Sequence, residues 1–297
     1  MLASPPPFTD YRHLLSAEEH ETLFFAFTAA DGQTFGLLRL MFGGGEVAET
    51  VTIAQAGQQW ARQHRGLWPP AQELGPDASG LHIRLRCIAP WQRWQLGFTG
   101  LLAALTDPQM TVNAALTFTF QATQPVASYP LGAYEQAQQE GRFTGELTLG
   151  AETLAVDWSG YRDHSWGVRP TGAPTSRWTV ATLPGQLYAT MGERDGAPVF
   201  FGRVWSSAGE WVPLISVEMA QVEGGWQLAL PKQALSWTVA RTATPFRTYL
   251  GAHGQEALRA TARAGDWAWD DFGPARFTAA DGATAIGFLE QGQVLIL

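Results

Sequence analysis

The chain has 297 residues, a length that suits one large domain or two of medium size. Its 19 basic and 27 acidic residues give a net charge of −8, which argues against nucleic acid or an anionic membrane surface as a partner, since both require basic patches. The single cysteine, Cys87, excludes an internal disulfide, and its alternating surroundings predict a buried, unreactive thiol.

The N-terminal region predicts a short helix. Ser16 and Glu19 have the spacing of a capping box, which would open a helix that runs to about Leu23.

The first residues, MLASPPPFTDY, lack the charged-then-apolar pattern of a secretion signal. The longest apolar run, Leu96–Leu105, is too short to span a bilayer. We therefore expect a cytoplasmic protein with no integral membrane segment.

Alternation of apolar and polar residues dominates the rest of the chain. Thr117–Phe120 and Leu147–Leu149 alternate, and Trp178–Leu183 is rich in strand formers. Turn signals between such runs lie at Asp31-Gly32, Asp195-Gly196, Gly224-Gly225, Asp281-Gly282 and Gln291-Gly292. This pattern predicts an all-β, mainly antiparallel fold, whose sheets close into barrels or curl strongly to hide their edges.

A polar segment near the middle predicts a boundary. Residues 134–140, YEQAQQE, would form a turn or two of helix ended by Gly141, and they divide the chain into residues 1–140 and 141–297. The segment Phe27–Thr34, FTAADGQT, recurs as FTAADGAT at Phe277–Thr284, and coincidence or shared turn chemistry explains this repeat as well as an ancient duplication does. No glycine-rich phosphate loop is present, so we expect no nucleotide cofactor.

The most informative stretch is GYRDHSWGVR at residues 160–169. It contains four ionisable side chains, which are Arg162, Asp163, His164 and Arg169. Burying a charge costs several kcal/mol unless it is paired, so these groups either lie in solvent or form a hydrogen-bonded cluster. The apolar strands on both sides favour the cluster. In an extended segment, Asp163 would lie on the face opposite to Arg162 and His164.

This block resembles a known family, the carotenoid hydratases (hydroxyneurosporene synthases), which also contains AttH-like proteins. The resemblance is strongest over residues 85–170 and includes PWQRWQLGFTG at residues 90–100, YEQ at 134–136 and GEL at 145–147. It implies two consecutive lipocalin-like β-barrel modules with a few short helices, residues 1–140 and 141–297, the second carrying the RDHSWG block.

The resemblance also implies a reaction. In the hydratases, water adds to a terminal isoprenoid double bond without a redox cofactor, and a His-x-Trp pair is implicated, which His164 and Trp166 match. A downstream Tyr/Asp pair of the family has no counterpart here, because Tyr188 is followed by Ala189 and Thr190.

Acid catalysis on an alkene requires a proton donor and protection of a carbocation. Asp163 is the first candidate acid, because burial in an apolar cavity raises the pKa of a carboxyl group, and Glu135 is the second. His164 would donate a proton or orient Asp163. In the competing interpretation, Asp163 stays ionised and ties a turn to the rim of a barrel.

Aromatic and charged neighbours complete the predicted site. The rings of Trp166 and Trp178 would stabilise a cation by about 0.5–2 kcal/mol each, although core packing is expected for most of the tryptophans. The predicted substrate-binding residues are Tyr134, Tyr161, Arg162, Trp166, Arg169 and Trp178. The remaining histidines lack metal-ligand spacing, so we expect neither a metal nor another cofactor.

The sequence thus predicts a cofactor-independent enzyme with a lipophilic, isoprenoid- or polyketide-like substrate. The substrate would lie in a β-barrel cavity and be hydrated, isomerised or cyclised by acid catalysis. A non-catalytic carrier of a lipophilic small molecule is the alternative, with the charged block as a structural clasp. A structural module without a small ligand is a third hypothesis.

Overall fold

The computed structural model describes residues 10–13, 15–67, 77–130, 133–168, 176–183, 187–194, 197–250, 256–258 and 268–294. Strands dominate these residues, and the helical structure described among them is confined to short 3-10 turns, such as Pro231–Gln233. The predicted all-β, antiparallel fold is confirmed. Within the residues described, no helix has the length and apolar character that crossing a bilayer requires.

Contacts divide the chain into two compact units. The N-terminal unit comprises residues 2–29 and 36–171, and the C-terminal unit comprises the rest of the chain. The sequence places the boundary at residue 140, which falls inside a long strand of the N-terminal unit. Polar residues at this point resemble a linker in sequence, but in the structure they pair on both sides within one sheet. The RDHSWG block consequently lies in the N-terminal unit.

The N-terminal unit is an antiparallel sheet of eleven strands. Their bounds are β1 (His20–Thr28), β2 (Phe35–Gly43), β3 (Glu46–Gln55), β4 (Gln58–Leu67), β5 (Asp77–Ser79), β6 (Ile83–Ala89), β7 (Arg93–Ala104), β8 (Thr111–Ala122), β9 (Ala127–Pro130), β10 (Tyr134–Leu149) and β11 (Glu152–Gly167). The spatial order is β4-β3-β2-β1-β11-β10-β8-β7-β6-β5, with β9 beside β10. Because β4 also pairs with β7, the sheet curls back on itself.

The C-terminal unit is a second antiparallel sheet. Its strands are β12 (Ser176–Leu183), β13 (Leu187–Arg194), β14 (Ala197–Trp205), β15 (Trp211–Pro213), β16 (Glu218–Val222), β17 (Gly225–Leu230), β18 (Leu235–Arg241), β19 (Phe246–Leu250), β20 (Glu256–Leu258), β21 (Ala268–Ala279) and β22 (Thr284–Val294). The order β15-β14-β13-β12-β22-β21-β18-β17-β16 repeats the order β4-β3-β2-β1-β11-β10-β8-β7-β6. The prediction of two barrel-like modules is therefore confirmed.

The FTAADG repeat is not a trace of this common topology. Phe27–Thr34 joins β1 to β2, whereas Phe277–Thr284 joins β21 to β22, and these hairpins occupy different places in the shared order. What the two copies share is turn chemistry. Asp31 and Asp281 each accept the backbone N–H two residues later through their side chains, at 2.8 and 2.9 Å. A local Asx turn explains the repeat.

The predicted helix from Ser16 to about Leu23 is wrong, because β1 begins at His20. One of the two capping contacts does form, since Ser16 N–H donates to Glu19 Oε2 at 2.7 Å, and Glu19 N–H donates to the backbone carbonyl oxygen of Ser16 at 3.2 Å. They close a single turn. Inward-facing Phe25 and other apolar residues at alternate positions then favour a strand over a helix.

Three other local predictions have different outcomes. Residues 134–140, predicted as helix, belong to β10, where pairing with β11 satisfies the backbone. Gln291-Gly292, predicted as a turn, lies within β22 and pairs with β12 and β21. The turn Asp195-Gly196 lies outside the described residues, although the strands on either side of it pair as a hairpin.

Two paired glycines make room for the aromatic core of the N-terminal unit. Gly160 on β11 lies opposite Gly141 on β10, and the buried ring of Phe143 lies in the same ladder. A Cβ at Gly160 would overlap the carbonyl oxygen of Ala26 and lie 2.5 Å from Cε2 of Phe143. The absence of a side chain at this position therefore lets rings and backbone approach closely.

We expect Gly160→Ala to lower the free energy of unfolding by about 1–3 kcal/mol, because a ring and the neighbouring strand must shift. Gly97 on β7 is the matched control, since the nearest atom to an added Cβ there lies at 3.8 Å. Gly97→Ala should stay within about 0.5 kcal/mol of the wild type. Urea unfolding measures both variants, and equal stabilities would contradict this account of the core.

Candidate functional site

A buried ion pair lies at the centre of the N-terminal unit. Arg162, on β11, is 1% exposed, and Asp10, which precedes β1, is fully buried. Nη1 of Arg162 donates to Oδ1 of Asp10 at 2.6 Å, and the guanidinium carbon lies 4.9 Å from the ring centre of Trp91. A charge in such surroundings is tolerated only when it is paired and hydrogen-bonded. The pair therefore connects the N-terminal segment to the far end of β11.

The second oxygen of Asp10 is also occupied. Oδ2 accepts the backbone N–H of Trp91 at 2.6 Å and the indole N–H of Trp94 at 3.1 Å. Burial alone would raise the pKa of Asp10, but the positive charges of Arg162 and His164 and the Trp91 N–H outweigh it and lower the pKa. The carboxylate is therefore ionised and has donors on both oxygens.

Trp91 has an unusual backbone conformation that serves this contact. Its φ is +57°, a region that bulky residues rarely adopt and that costs about 1–3 kcal/mol. Its N–H is bonded to Asp10, and its carbonyl oxygen accepts Nε2 of Gln139 at 2.8 Å. Oε1 of Gln139 accepts Nε of Arg162 at 3.2 Å. The strained turn is thus held by the same groups that hold the ion pair.

His164 lies two residues further along β11 and is fully buried. Its Nε2 lies 2.9 Å from Oε1 of Glu21, within hydrogen-bond range. Its Nδ1 lies 3.8 Å from Oδ1 of Asp10, an ion-pair distance, and has no hydrogen-bond partner in the part of the chain that the structure describes. Burial lowers the pKa of His164, but the carboxylates of Asp10 and Glu21 outweigh it and raise the pKa. The imidazolium form is therefore favoured.

Glu21 connects His164 to a second imidazole. It is fully buried at the start of β1, and its Oε1 lies 2.8 Å from Nδ1 of His13. Burial raises the pKa of Glu21, but hydrogen bonds from His13 and His164 outweigh it and lower the pKa to about 2. The His13 ring stacks on Trp166, with ring centres 4.6 Å apart, and its side chain is 16% exposed. His13 thus lies between the buried cluster and the surface.

The structure brings three of the predicted site residues together. Arg162 and His164 lie on the inward face of β11, and the Trp166 ring lies 4.8 Å from that of His164. Asp163 lies on the opposite face, as alternation predicts, and is half-buried. Its Oδ2 accepts Nε2 of Gln138 at 2.8 Å and also Nε2 of Gln136. Amide donors stabilise a carboxylate, so this geometry favours His164 over Asp163 as a proton donor.

The remaining predicted residues lie apart from this cluster. Glu135 is exposed, so it lacks the apolar surroundings that a second acid requires. Tyr134 is buried opposite Gly167 in the β10–β11 ladder. Tyr161 is on the face of Asp163 and packs on Phe24. Trp178 belongs to the C-terminal unit, where it packs on Trp226, and Arg169 lies outside the described residues.

Sequence reasoning missed Asp10, His13, Glu21 and Gln139. Glu21 could have been found from the alternation of β1, because it lies two residues before Leu23 and four before Phe25, on the face of the strand that points inward. An acidic residue at an inward position of a strand needs a buried partner. The predicted helix concealed this register. Asp10 gives no local signal, since it binds Trp91 and Arg162, which are 81 and 152 residues away in the chain.

Two further features bear on ligands. Atoms of the kinds that bind metals lie within 4.8 Å of one another on His13, Glu21 and His164. Glu21 Oε1 already accepts a hydrogen bond from each imidazole, so hydrogen bonding explains why these atoms lie so close together.

A surface groove of about 460 Å³ lies over β5 to β8, with Arg84 and Thr117 in its lining. No residue of the buried cluster lines this groove.

Fold and site together define a two-module β-barrel protein with a buried, charged histidine cluster. The chain belongs to the family described as Domain of unknown function (DUF7064), which matches residues 6–294. The search of curated proteins found no significant match.

Solved structures share the fold. A protein assigned as AttH from Nitrosomonas europaea is 12% identical with a TM-score of 0.64, covering 93% of this chain and 92% of that one. Kievitone hydratase from Nectria haematococca is 11% identical with a TM-score of 0.62, covering 93% and 89%. CghA with Sch210972 is 10% identical with a TM-score of 0.57, covering 95% and 89%. These likenesses confirm the resemblance to the hydratase and AttH-like group at the level of the fold.

We expect Asp10→Asn to lower the free energy of unfolding by about 3–5 kcal/mol, because it leaves the Arg162 guanidinium buried without a counter-charge. Asp157→Asn is the matched control. Asp157 pairs with Arg142 on the exposed surface of the β10–β11 ladder, and exposed ion pairs contribute little to the free energy of unfolding. Urea unfolding should resolve a loss for the first variant alone. A wild-type stability for Asp10→Asn would contradict the assigned role of the buried pair.

The shifted pKa values of Glu21 and His164 predict that the stability of the fold depends on pH. The pKa of Glu21 is lowered from 4.5 to about 2, so its contribution to stability is present above pH 4.5 and is lost as pH falls towards 2. The pKa of His164 is raised from 6.5, so its contribution is present below pH 6.5 and is lost as pH rises through the folded-state pKa.

Unfolding free energies measured in urea across this range should therefore be highest between pH 4.5 and 6.5 and should fall on the alkaline side. His164→Gln should remove much of the alkaline fall, because glutamine does not titrate. If the free energies of unfolding of the wild type and of His164→Gln fall equally above pH 6.5, a group other than His164 causes the alkaline loss of stability.

Proposed function

We propose that the protein is a cofactor-independent enzyme that acts on a lipophilic substrate by acid catalysis, with His164 as the proton donor. The observation that carries this proposal is the position of His164, fully buried and flanked by two carboxylates. Glu21 holds Nε2, whereas Nδ1 makes no hydrogen bond with a described residue and lies 3.8 Å from Oδ1 of Asp10. An imidazolium whose second nitrogen faces a carboxylate without a hydrogen bond can donate a proton to a ligand that reaches Nδ1.

Glu21 and His13 would support the proton transfer. Glu21 fixes the orientation of the His164 ring and stabilises its positive charge, which is the role of the carboxylate in a catalytic triad. His13 shares the same oxygen of Glu21, so it would help to fix the orientation of the Glu21 carboxylate towards His164. In this mechanism both are positioning residues.

Aromatic rings around the cluster suit a lipophilic substrate and a cationic transition state. The faces of Trp91, Trp94 and Phe120 lie within 6.0 Å of the Arg162 guanidinium, so these rings already accommodate a positive charge. Such surroundings support hydration, isomerisation or cyclisation at a double bond. The name of kievitone hydratase, which shares the fold, denotes the addition of water, and hydration is therefore the first reaction to test.

A carrier of a lipophilic small molecule is the second candidate. It is favoured by the Asp10–Arg162 pair, because a fully buried pair at 2.6 Å also serves as a clasp between the N-terminal segment and β11. In a carrier, Glu21 and His164 would only strengthen this clasp. Turnover, rather than binding, separates the two functions.

The test uses wild-type protein with a panel of prenylated phenols, terpenoids and polyenes in ¹⁸O-labelled water and, separately, in D₂O. Mass spectrometry should detect a product with one labelled water added, or an isomer that has gained deuterium. His164→Gln should lower the turnover rate about 100-fold or more, the usual loss for a general acid. His20→Gln, an exposed histidine on β1, should keep the wild-type rate.

Two results would overturn the assignment. Unchanged turnover in His164→Gln would exclude His164 as the acid, and its loss in Asp163→Asn alone would reassign that role to Asp163. Binding of panel compounds without any product would favour the carrier.

A further inference from the structure

We infer that Arg162, Trp91 and Trp94 form a receptor for a carboxylate group, which the side chain of Asp10 occupies, and that a lipophilic carboxylic acid binds there by displacing Asp10. This inference deepens the proposed function by naming the polar group of the ligand. It rests on that function only in taking the bound acid as a substrate, and the binding itself is independent of catalysis.

Three nitrogen donors converge on the carboxylate of Asp10, together with the weaker donor Sγ of Cys87 at 3.7 Å. Arg162 Nη1 donates to Oδ1 of Asp10 at 2.6 Å, and the backbone N–H of Trp91 and the indole N–H of Trp94 donate to Oδ2 at 2.6 and 3.1 Å. These donors come from β11, from the turn after β6 and from β7. A guanidinium opposite two neutral N–H groups matches the charge and the planar shape of a carboxylate.

Asp10 leaves part of this receptor unused. Arg162 is 1% exposed, yet its Nη2 has no hydrogen-bond partner among the described residues, and Nδ1 of His164 is 3.8 Å from Oδ1 of Asp10, beyond hydrogen-bond distance. Native proteins rarely leave buried donors unmatched, so each such atom indicates a missing acceptor. Asp10 is tethered by its own backbone and reaches the guanidinium through one nitrogen. A free carboxylate can approach both Nη atoms side by side, in the bidentate geometry that arginine prefers.

The segment that carries Asp10 is suited to displacement. Residues 10–13 precede β1 and pair with a strand through an isolated bridge at Arg12, and they are otherwise held by contacts of Asp10, Arg12 and His13 with side chains of the sheet. A segment with one isolated bridge opens at a lower free-energy cost than a central strand. Tyr11 and Leu15 pack against the apolar core, so displacement would free a space lined by apolar side chains. The ligand therefore combines a carboxylate with an apolar body.

Chemical rescue tests the receptor directly. Asp10→Ala removes the occupying carboxylate, and acetate is the probe that replaces it. We expect acetate at about ten times its Kd to raise the Tm of Asp10→Ala by about 3 °C. Acetamide, which has the same shape without the charge, should have no such effect. Asp157→Ala, which removes an exposed carboxylate, is the matched control.

The outcomes of this experiment are distinct. A rise in Tm with acetate that is confined to Asp10→Ala supports the receptor, and formate should reproduce it. An equal response of Asp10→Ala and Asp157→Ala to acetate would overturn the inference, because the effect would then be a general one of the salt. Rescue by acetamide would also overturn it, since recognition would not depend on charge.

A second experiment uses the wild-type protein and covers the case in which Asp10→Ala does not fold. Decanoate, below its micelle-forming concentration, should displace Asp10, and methyl decanoate should not. Hydrogen–deuterium exchange should then quicken at residues 10–13, while the Trp91 N–H stays protected by the carboxylate of the ligand. No change with decanoate, or the same change with methyl decanoate, would overturn the inference. Neither experiment measures turnover, so each result is independent of whether His164 is the acid.

Discussion

The structure of the N-terminal unit depends on matching one buried negative charge. Asp10 has no exposed surface, and a carboxylate in such a place requires donors and a counter-charge. Arg162 supplies the charge, and Trp91 adopts a strained backbone conformation that directs its N–H to the same group. The contact joins residues 152 positions apart in the chain and therefore fixes the N-terminal segment against β11, a central strand of the sheet. The position of His164 follows from this contact, because it faces the same carboxylate.

The same cluster serves stability and chemistry, and these demands differ. A clasp is most stable when every donor has an acceptor, whereas Arg162 Nη2 and His164 Nδ1 form no hydrogen bond with any of the described residues. Shifted pKa values and unmatched donors that occur together are typical of functional sites. Glu21 and His13 strengthen this interpretation, since they extend the cluster from the buried imidazole to a partly exposed one.

Alternation of apolar and polar residues predicted the strands and the all-β fold, because each face of a strand repeats every second residue. It also placed Asp163 opposite to His164 correctly. The repeated strand order of the two units had no counterpart in the sequence, since pairing between distant strands leaves no local pattern. Ser16 and Glu19 formed a true capping contact but only one turn, and strand pairing overrode the local preference for a helix.

The charged block at residues 160–169 was recognised from its composition, but its partners were not. Arg162 binds Asp10 and His164 binds Glu21, and the places of these two carboxylates in the fold emerge only from tertiary structure.

The chemistry of the site depends on His164 being a buried imidazolium between two carboxylates. Nitrogen-15 NMR of the histidine rings, assigned with His164→Gln, tests it most directly. At pH 6.5, where an ordinary imidazole is about half protonated, the larger part of His164 should carry protons on both ring nitrogens. A ring that is mostly neutral at that pH, with one unprotonated nitrogen, would contradict the account.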